Sequence, residues 1–256
     1  MFQSQAQPIL ETQELRKSFG AVHAVRGVTW TVNAGEVCAL VGDNGAGKST
    51  LIKLICGAVL PDSGEIQVRG ERVNITGPMD AFKLGIAPVY QDLALVESRD
   101  VVMNMFLGDE LTTGPLKLFL DHHGMAREAQ RVLDEIHSRI PSVREMVRKL
   151  SGGQRQAVAV GRALLRGGQI IIMDEPTAAL GIEQTREVLQ LIETLRSQGK
   201  TVILISHNIS QVFQVADQIS VMFHGEMVGS RRTKDTTHEE IVSMIVGTKT
   251  DAVAMA

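Results

Sequence analysis

The sequence of 256 residues is poor in cysteine and in aromatic side chains, and neither sign of charge dominates it. Its two cysteines, Cys38 and Cys56, lie within apolar stretches. Two thiols cannot form the disulfide framework of a small secreted domain, so we expect small buried side chains of a reducing compartment. A net charge of −3 excludes the broad basic field that holds nucleic acid, and no nucleic-acid partner is expected.

Long hydrophobic runs are also absent. The longest segment without Asp, Glu, Lys or Arg covers residues 201–216 and is interrupted by polar side chains, whereas a membrane-spanning helix needs roughly 18 apolar residues. Residues 1–8 have neither the basic start nor the apolar core of a signal peptide. We therefore expect a cytoplasmic chain that reaches a membrane only through a partner. Residues 248–256 carry no packing signal and are expected to form a frayed C-terminal tail.

What the sequence contains is an alternation of strand and helix patterns. Period-2 alternation and continuous apolar runs predict strands, and these are 28–32, 36–41, 170–173 and 201–205. Apolar residues at helical spacing predict helices, and these are 48–56, 126–136, 154–165, 183–197 and 209–216. Segments 65–68 and 72–75 flank Gly70 as a predicted hairpin. Residues 108–124 are predicted to be an irregular surface segment, and the alternation as a whole indicates a parallel sheet.

A glycine-rich stretch between the second strand and the first helix matches the pattern G-x-x-x-x-G-K-[S/T]. Its residues are Gly42, Asp43, Asn44, Gly45, Ala46, Gly47, Lys48 and Ser49, followed by Thr50. Glycines let successive backbone N–H groups face phosphate oxygens, the lysine reaches the β and γ phosphates, and the hydroxyl of Ser49 can hold Mg²⁺. A random chain of this length matches on the order of once in a hundred. The stretch therefore predicts a nucleotide site.

Two acidic residues follow the apolar run at 170–173. The end of that strand would deliver Asp174 toward the ion held by Ser49, and Glu175 could orient or deprotonate a water that attacks the γ-phosphate. Strands also end in acids for solvation alone, and the neighbouring phosphate loop favours the functional interpretation.

A second anion site is indicated at residues 150–156, Leu-Ser-Gly-Gly-Gln-Arg-Gln. Ser151 is a favourable N-cap, and Gly152 and Gly153 begin the helix that continues through Gln154. Taken alone, this segment is also compatible with a plain capped helix.

The order of these motifs resembles the nucleotide-binding subunit of ABC transporters, over about residues 10–247. Under this resemblance, 42–50 is the Walker A motif, 150–156 the ABC signature and 170–175 the Walker B motif. Gln91 matches the Q-loop that reports the nucleotide state to membrane subunits, His207 the switch histidine near the γ-phosphate, and Phe19 the aromatic ring against adenine. Taken singly, these three would be a polar loop residue, a histidine at a strand end and a core aromatic.

The resemblance implies an α/β fold: a P-loop NTPase core with a parallel sheet, an antiparallel β subdomain and an inserted α-helical subdomain. The ABC ATPase domain would cover 8–247. Within it, 8–91 and 166–247 would form the RecA-like core with the antiparallel subdomain, and 92–165 the helical subdomain with the signature. The tail would be 248–256.

The same resemblance implies hydrolysis of ATP with Mg²⁺. Ser49, Gln91 and Asp174 would hold the metal ion, Glu175 would activate water, and His207 would position the γ-phosphate. Residues 42–50 with Phe19 would bind the nucleotide. In this family two copies face head to tail, so Ser151, Gly152, Gly153 and Gln154 of one copy would complete the phosphate site of the other.

The ATPase subunits of bacterial monosaccharide importers, of the ribose, xylose and fructose type, are the most similar group within this family. The similarity lies in residues 42–47, 90–95, 104–108, 175–181 and 205–209. Many members fuse two such domains and this chain holds one, so it resembles the single-domain members. The resemblance therefore implies a homodimer on the cytoplasmic face of the membrane. It would be attached to the membrane through permease subunits, and a sugar-binding protein outside would be an indirect partner. Gly181 departs from the aspartate that usually follows Ala-Leu, which leaves open any cross-dimer role for a carboxylate there.

Other interpretations remain open. The chain could be a soluble ABC ATPase of DNA repair or translation, an ABC ATPase for another cargo, or a module that holds ATP only as a switch. Residues 116–120 could contact the membrane subunit or be ordinary core, and His122 and His123 are expected in a solvated loop.

Overall fold

The structure is a computed structural model that describes residues 7–113 and 119–248. The strands are β1 Pro8–Phe19, β2 Val22–Asn33, β3 Val37–Val41, β4 Ser63–Val68, β5 Glu71–Val73, β6 Ile86–Val89, β7 Thr112–Thr113, β8 Phe119–Leu120, β9 Ile170–Asp174, β10 Thr201–Ile205, β11 Gln218–Phe223 and β12 Glu226–Arg232. The helices are α1 Lys48–Ile55, α2 Pro78–Lys83, α3 Val101–Met105, α4 His122–Glu135, α5 Gly152–Leu165, α6 Ile182–Ser197, α7 Ile209–Val215 and α8 His238–Val246. Apart from Thr248, the predicted tail lies outside the described residues, as do 116–118 of the apolar segment 116–120.

A six-stranded sheet forms the centre, with the order β12-β11-β3-β10-β9-β6. All neighbouring pairs are parallel except β11 with β12, which form an antiparallel hairpin. The predicted parallel sheet is therefore present, and helices follow β3, β9 and β10 as crossovers.

An antiparallel sheet with the order β2-β1-β4-β5 accompanies it. The predicted hairpin around Gly70 is confirmed, with Ile66 opposite Val73. Strand β1 was not predicted from the sequence. It is the central partner of both β2 and β4.

The central sheet separates two apolar cores, and the period-2 geometry of its strands supplies both. Val37, Ala39 and Val41 of β3 face one core, together with residues of α3 to α8. Cys38 and Leu40 face the other, together with α1 and the antiparallel sheet. Strands buried on both faces read as continuous apolar runs, which is why β3, β9 and β10 could be predicted.

Two expectations about the middle of the chain were wrong. Thr112 and Thr113 pair with Leu120 and Phe119 as a short antiparallel ladder, so segment 108–124 is not wholly irregular. His122 and His123 are not in a loop but begin α4, because the Asp121 carboxylate accepts a hydrogen bond from the Gly124 amide at 2.7 Å and caps the helix.

Both cysteines are free and buried, as predicted. Burial raises the pKa of each thiol to about 12. Across the described parts of the chain, every helix is too short or too polar to cross a lipid bilayer.

Candidate functional site

Four parallel strands end along the same edge of the central sheet. β3 and β9 flank β10, and β6 lies beside β9. In the register, Ile205 is opposite both Leu40 and Asp174, and Val89 is opposite Met173. The residues that directly follow these strands therefore meet at one edge. These are the phosphate loop, the acidic pair, His207 and Gln91.

The loop after β3 is tightly enclosed by backbone. Gly42 has a φ of 152°, and a Cβ on it would lie 2.2 Å from the Met222 carbonyl oxygen. Gly47 has a φ of 100°, and its Cβ would lie 2.3 Å from the carbonyl oxygen of Ala24. Any larger residue would push the loop away from β11 or β2, so these glycines fix the curvature of the loop.

Lys48 closes this loop from inside. Its side chain is 9% exposed, and Nζ donates to the carbonyl oxygens of Gly42 at 2.8 Å and Asp43 at 2.9 Å. Burial lowers the pKa of the ammonium group, against the opposing effect of the nearby carboxylates of Glu175, Asp43 and Asp174. The ammonium group thus lies in the loop, at the place where a phosphate would need a positive charge.

A cavity of about 540 Å³ opens over the loop. One wall is residues 44–50, which include the exposed Ser49 and the half-buried Thr50. The opposite wall is residues 21–24, Arg26 and His224. This second wall was not predicted from the sequence. Its residues come from β2 with the turn before it and from the β11–β12 turn, and no motif marks them.

Phe19 lies at the end of β1 and is 51% exposed. The Lys17 ammonium lies 5.6 Å from the centre of its ring. Phe19 is not among the residues that line the cavity, although the lining begins two residues later, at Ala21. Its contact with adenine stays a prediction.

Glu175 and His207 contact each other. The Glu175 amide donates to the Ile205 carbonyl oxygen at 2.9 Å, which ties the residue to the end of β10. His207 Nδ1 lies 2.8 Å from Glu175 Oε2. The carboxylate side chain is 19% exposed and the histidine 72%, so an exposed ring is paired with a partly buried acid.

Asp174 lies just before this pair, at the end of β9. Burial and, secondly, the neighbouring charge of Glu175 raise the pKa of its carboxyl group, and Lys48 acts in the opposite direction. Two adjacent carboxylates beside one ammonium group concentrate negative charge, and a divalent cation would relieve it.

Gln91 and Ser151 line a second cavity of about 550 Å³, together with Gly152, Glu175 and Gln184. Ser151 and Gly152 of the predicted signature therefore share a cavity with Glu175, whereas Gly153 and Gln154 line a separate one. None of residues 151–154 lines the cavity over the phosphate loop.

The signature residues begin α5 with a capping box. Ser151 Oγ accepts from the Gln154 amide at 3.1 Å, and Gln154 Oε1 accepts from the Ser151 amide at 2.9 Å. Gln154 Nε2 also donates to the Arg139 carbonyl oxygen at 2.9 Å. Gln154 therefore holds the helix start rather than pointing freely at a ligand.

The two glycines of the signature face α6. A Cβ on Gly152 would lie 2.4 Å from Leu180 Cδ2, and one on Gly153 would lie 2.4 Å from Glu187 Oε2 and 3.3 Å from the Gln184 carbonyl oxygen. At Gly152 a Cβ would displace only the ends of side chains, whereas at Gly153 it would also crowd the backbone of α6, so packing within one chain favours glycine most at Gly153. Their predicted contact with phosphate comes in addition to this local requirement.

Known proteins with similar sequences belong to the family that the motifs predict. Residues 25–178 match the family described as ABC transporter. The chain is 46% identical over 237 residues to the xylose/arabinose import ATP-binding protein XylG of Sulfolobus acidocaldarius, and the match covers 93% of each chain. It is 43% identical over 248 residues to the fructose import ATP-binding protein FrcA of Rhizobium meliloti, covering 95% of each.

Among solved structures, the fold is similar to the ADP conformation of MJ1267, an ATP-binding cassette of an ABC transporter. The TM-score is 0.81 at 28% identity, and the match covers 95% of this chain and 96% of that one. This likeness confirms the predicted α/β P-loop NTPase-type fold. With the family match across more than half of the sequence and the two relatives aligned over nearly their full length, the chain belongs to the ABC transporter family as an ATP-binding subunit.

Proposed function

We propose that this chain is the ATP-hydrolysing subunit of a membrane importer for a monosaccharide. The observation that carries the hydrolytic part is the meeting of Lys48, Glu175 and His207 at one edge of the central sheet. The sugar part rests on the two relatives, which are named as import ATP-binding proteins for xylose/arabinose and for fructose. Both align with this chain over at least 93% of its length.

Residues 42–50 would hold the triphosphate. The loop leads into α1, whose N-terminus adds partial positive charge. Lys48 would exchange its two loop carbonyls for phosphate oxygens, which are charged and therefore stronger acceptors. Phe19 would lie against the base, since it directly precedes the turn that lines the cavity.

The oxygen donors at this edge suit Mg²⁺. Ser49, Asp174 and Gln91 would supply a hydroxyl, a carboxylate and an amide oxygen, which are ligands that this hard cation prefers. When bound, Mg²⁺ neutralises part of the phosphate charge. Burial and the charge of Glu175 raise the pKa of Asp174, and a bound divalent cation would favour the ionised carboxylate.

Glu175 would accept the proton of the attacking water. Its carboxylate is held near the edge by the backbone contact with β10, and His207 lies within hydrogen-bond distance of it. His207 is exposed enough to turn toward the γ-phosphate without moving the sheet.

A second copy of the chain would complete the site. Ser151 and Gly152 line a different cavity from Lys48, so the signature of one copy is free to cap the phosphates held by another, facing it head to tail. Gly153 would contact the same phosphates, and Gln154 would hold the helix start through its two hydrogen bonds with Ser151. Energy from closing and reopening the pair would be passed to the permease subunits as motion.

The remaining assignments are part of the same proposal. Residues 92–165 would form the helical subdomain and the rest of 8–247 the core with its antiparallel sheet. The chain would lie on the cytoplasmic face of the membrane, bound to permease subunits that a sugar-binding protein supplies.

The test is uptake of labelled ribose, xylose and fructose by the host after deletion of the gene. The deletion strain would be complemented with the wild type, with Lys48→Ala or with Lys83→Ala, a matched control at an exposed lysine of α2. We expect loss of uptake of one sugar, restored by the wild type and the control but not by Lys48→Ala. Unchanged uptake of all three sugars would refute the sugar assignment.

A further inference from the structure

The segment between Gln91 and α3, residues 92–97, is held in place by two helices. It contains neither helix nor strand, and Ala94 has a left-handed φ of 48°, which a residue with a Cβ adopts only under constraint. Hydrogen bonds from side chains of α3 and α5 supply this constraint.

Arg162 of α5 forms hydrogen bonds with the middle of the segment. Its Nη2 donates to the Leu93 carbonyl oxygen at 2.7 Å, and its Nη1 donates to the Ala94 carbonyl oxygen at 3.0 Å. The guanidinium group is planar with fixed donor directions, so it can hold two successive carbonyls at once, whereas a lysine would reach one of them.

The C-terminal end of the segment, at residues 96–97, is also held by hydrogen bonds. Arg155, two turns before Arg162 on α5, donates through Nη1 to Glu97 Oε1 at 3.0 Å. Asn104 of α3 is 1% exposed, and its amide both accepts from Val96 N at 2.7 Å and donates to Val96 O at 3.0 Å. The segment is therefore bonded to the same helix that begins beside Ser151.

We propose that Arg162 is a positioning residue for hydrolysis: it couples Gln91 to the signature helix, so that Gln91 and Ser151 move together relative to the phosphate loop. This inference rests on the roles proposed above for those two residues. Arg162 itself lines neither the cavity over the phosphate loop nor the cavity that Gln91 lines. It acts through the backbone that follows Gln91.

A double-mutant cycle tests the coupling. Turnover of ATP would be measured for the wild type, Gln91→Ala, Arg162→Gln and the combined variant. If Arg162 acts through Gln91, each single substitution lowers kcat about tenfold and the combination lowers it little further. Arg162→Lys, which retains one contact, should give an intermediate kcat. Arg131→Gln, at an exposed arginine of α4 that pairs with two glutamates, should stay within about twofold of the wild type.

Two further measurements separate positioning from general loosening. Without Mg²⁺, the affinity for ADP depends on the phosphate loop and should change less than about twofold in Arg162→Gln, whereas the gain in affinity on adding Mg²⁺ should shrink. Hydrogen exchange of the amides at 93–97 should be at least about tenfold faster in that variant, with β9 unchanged. If Arg162→Gln does not fold, Arg162→Lys carries the same tests.

Three results would overturn the inference. These are unchanged exchange at 93–97, an unchanged kcat despite faster exchange, and losses in the combined variant equal to the product of the single losses. Absence of turnover in the wild type would count against the proposed function, and hydrogen exchange would still decide whether Arg162 holds the segment.

Discussion

Glu175 has a backbone φ of 49°, in a region that residues with a Cβ seldom occupy. The residue is held there by the hydrogen bond from its backbone amide to the Ile205 carbonyl oxygen and by the contact of its side chain with His207. A strained backbone conformation persists only where the surrounding structure stabilises it, and such residues are concentrated at functional sites. The strain places the carboxylate beyond the end of β9, next to a histidine delivered by β10.

Replacement of Glu175 by glutamine should separate binding from hydrolysis. The amide keeps the size of the side chain but cannot accept a proton, so we expect turnover to fall on the order of 10²–10⁴-fold while bound ATP is retained. Phosphate release and nucleotide binding, measured on the same preparation, check this. Glu128→Gln, at an exposed pair with Arg131, is the control. Steady hydrolysis by Glu175→Gln would show that another group activates the water.

Residues with a local motif could be predicted, and residues placed by long-range pairing could not. Lys48 and Ser49 follow from the glycine spacing, because the loop chemistry is contained within nine residues. Arg26 and His224 line the same cavity, yet one lies in β2 and the other in the distant β11–β12 turn, and nothing in their neighbouring residues distinguishes them. The hydrogen bond from Arg162 to the Leu93 carbonyl oxygen could not be predicted for the same reason.

Among the elements, β1 shows why a strand can escape prediction. Its ladder with β2 contains several register shifts, one of them between Thr12 and Leu15, and Glu14 has a left-handed φ of 49°. Each bulge changes which side chains face the core. The apolar residues of β1 therefore do not alternate, although Leu10 and Leu15 are both buried.

The packing of α5 on α6 should depend on Gly153. Alanine there would push its Cβ against Glu187 and toward the Gln184 carbonyl oxygen, and we expect the free energy of unfolding to fall by about 1–3 kcal/mol. The matched control is Gly161→Ala in the same helix. Its Cβ meets mainly the flexible end of Met105, at 2.8 Å, and a gain in helix propensity of up to about 1 kcal/mol offsets the contact. Denaturant unfolding without nucleotide checks both, and equal losses would contradict this account.

A bidentate ion pair fastens the start of β3 to the end of β12. Arg232 donates to both carboxylate oxygens of Glu36, at 2.6 and 2.7 Å. The hydrogen bond from Arg232 is the largest influence on Glu36, and it holds the pKa of that carboxyl below its ordinary value of 4.5, against the opposing effect of burial. Because the folded pKa is the lower one, the stabilisation is complete above the unfolded pKa and is lost as the pH falls through the folded value.

Glu36→Gln should therefore destabilise the protein at neutral pH but not in acid. We expect a loss of about 1 kcal/mol at pH 7, a modest figure because Arg232 is partly exposed and screened by solvent. Unfolding in urea between pH 3 and pH 7 measures the difference from the wild type. A difference that stayed constant across this range would rule out the ion pair as its cause.

At the scale of the whole molecule, one buried hydrogen bond joins the two sheets. Trp30 of the antiparallel sheet donates through Nε1 to Ser220 Oγ of β11 at 2.8 Å. Ser220 is fully buried and also contacts the Ser230 hydroxyl at 2.8 Å. The side of the cavity over residues 44–50 that β2 forms is thus fixed to the sheet from which this loop extends.

Ser220→Ala should weaken this joint. The Trp30 N–H would remain buried without its acceptor, and we expect the free energy of unfolding to fall by about 1–3 kcal/mol. Ser230→Ala removes an exposed hydroxyl that water can replace, so its effect should stay below about 0.5 kcal/mol. Trp30 fluorescence during unfolding measures both variants, and equal effects would show that the indole bond contributes little.

The order of strands in the central sheet also governs how the protein is made. β3 and β6 are translated early, ending at Val41 and Val89, yet in the finished sheet β9 and β10 lie between them. Until translation has passed Ile205, both early strands expose unpaired apolar edges, the state in which aggregation competes with folding. A nucleotide bound at this edge would stabilise only a chain in which all four strands are present, so ATP would favour the fully paired sheet over its unpaired precursors.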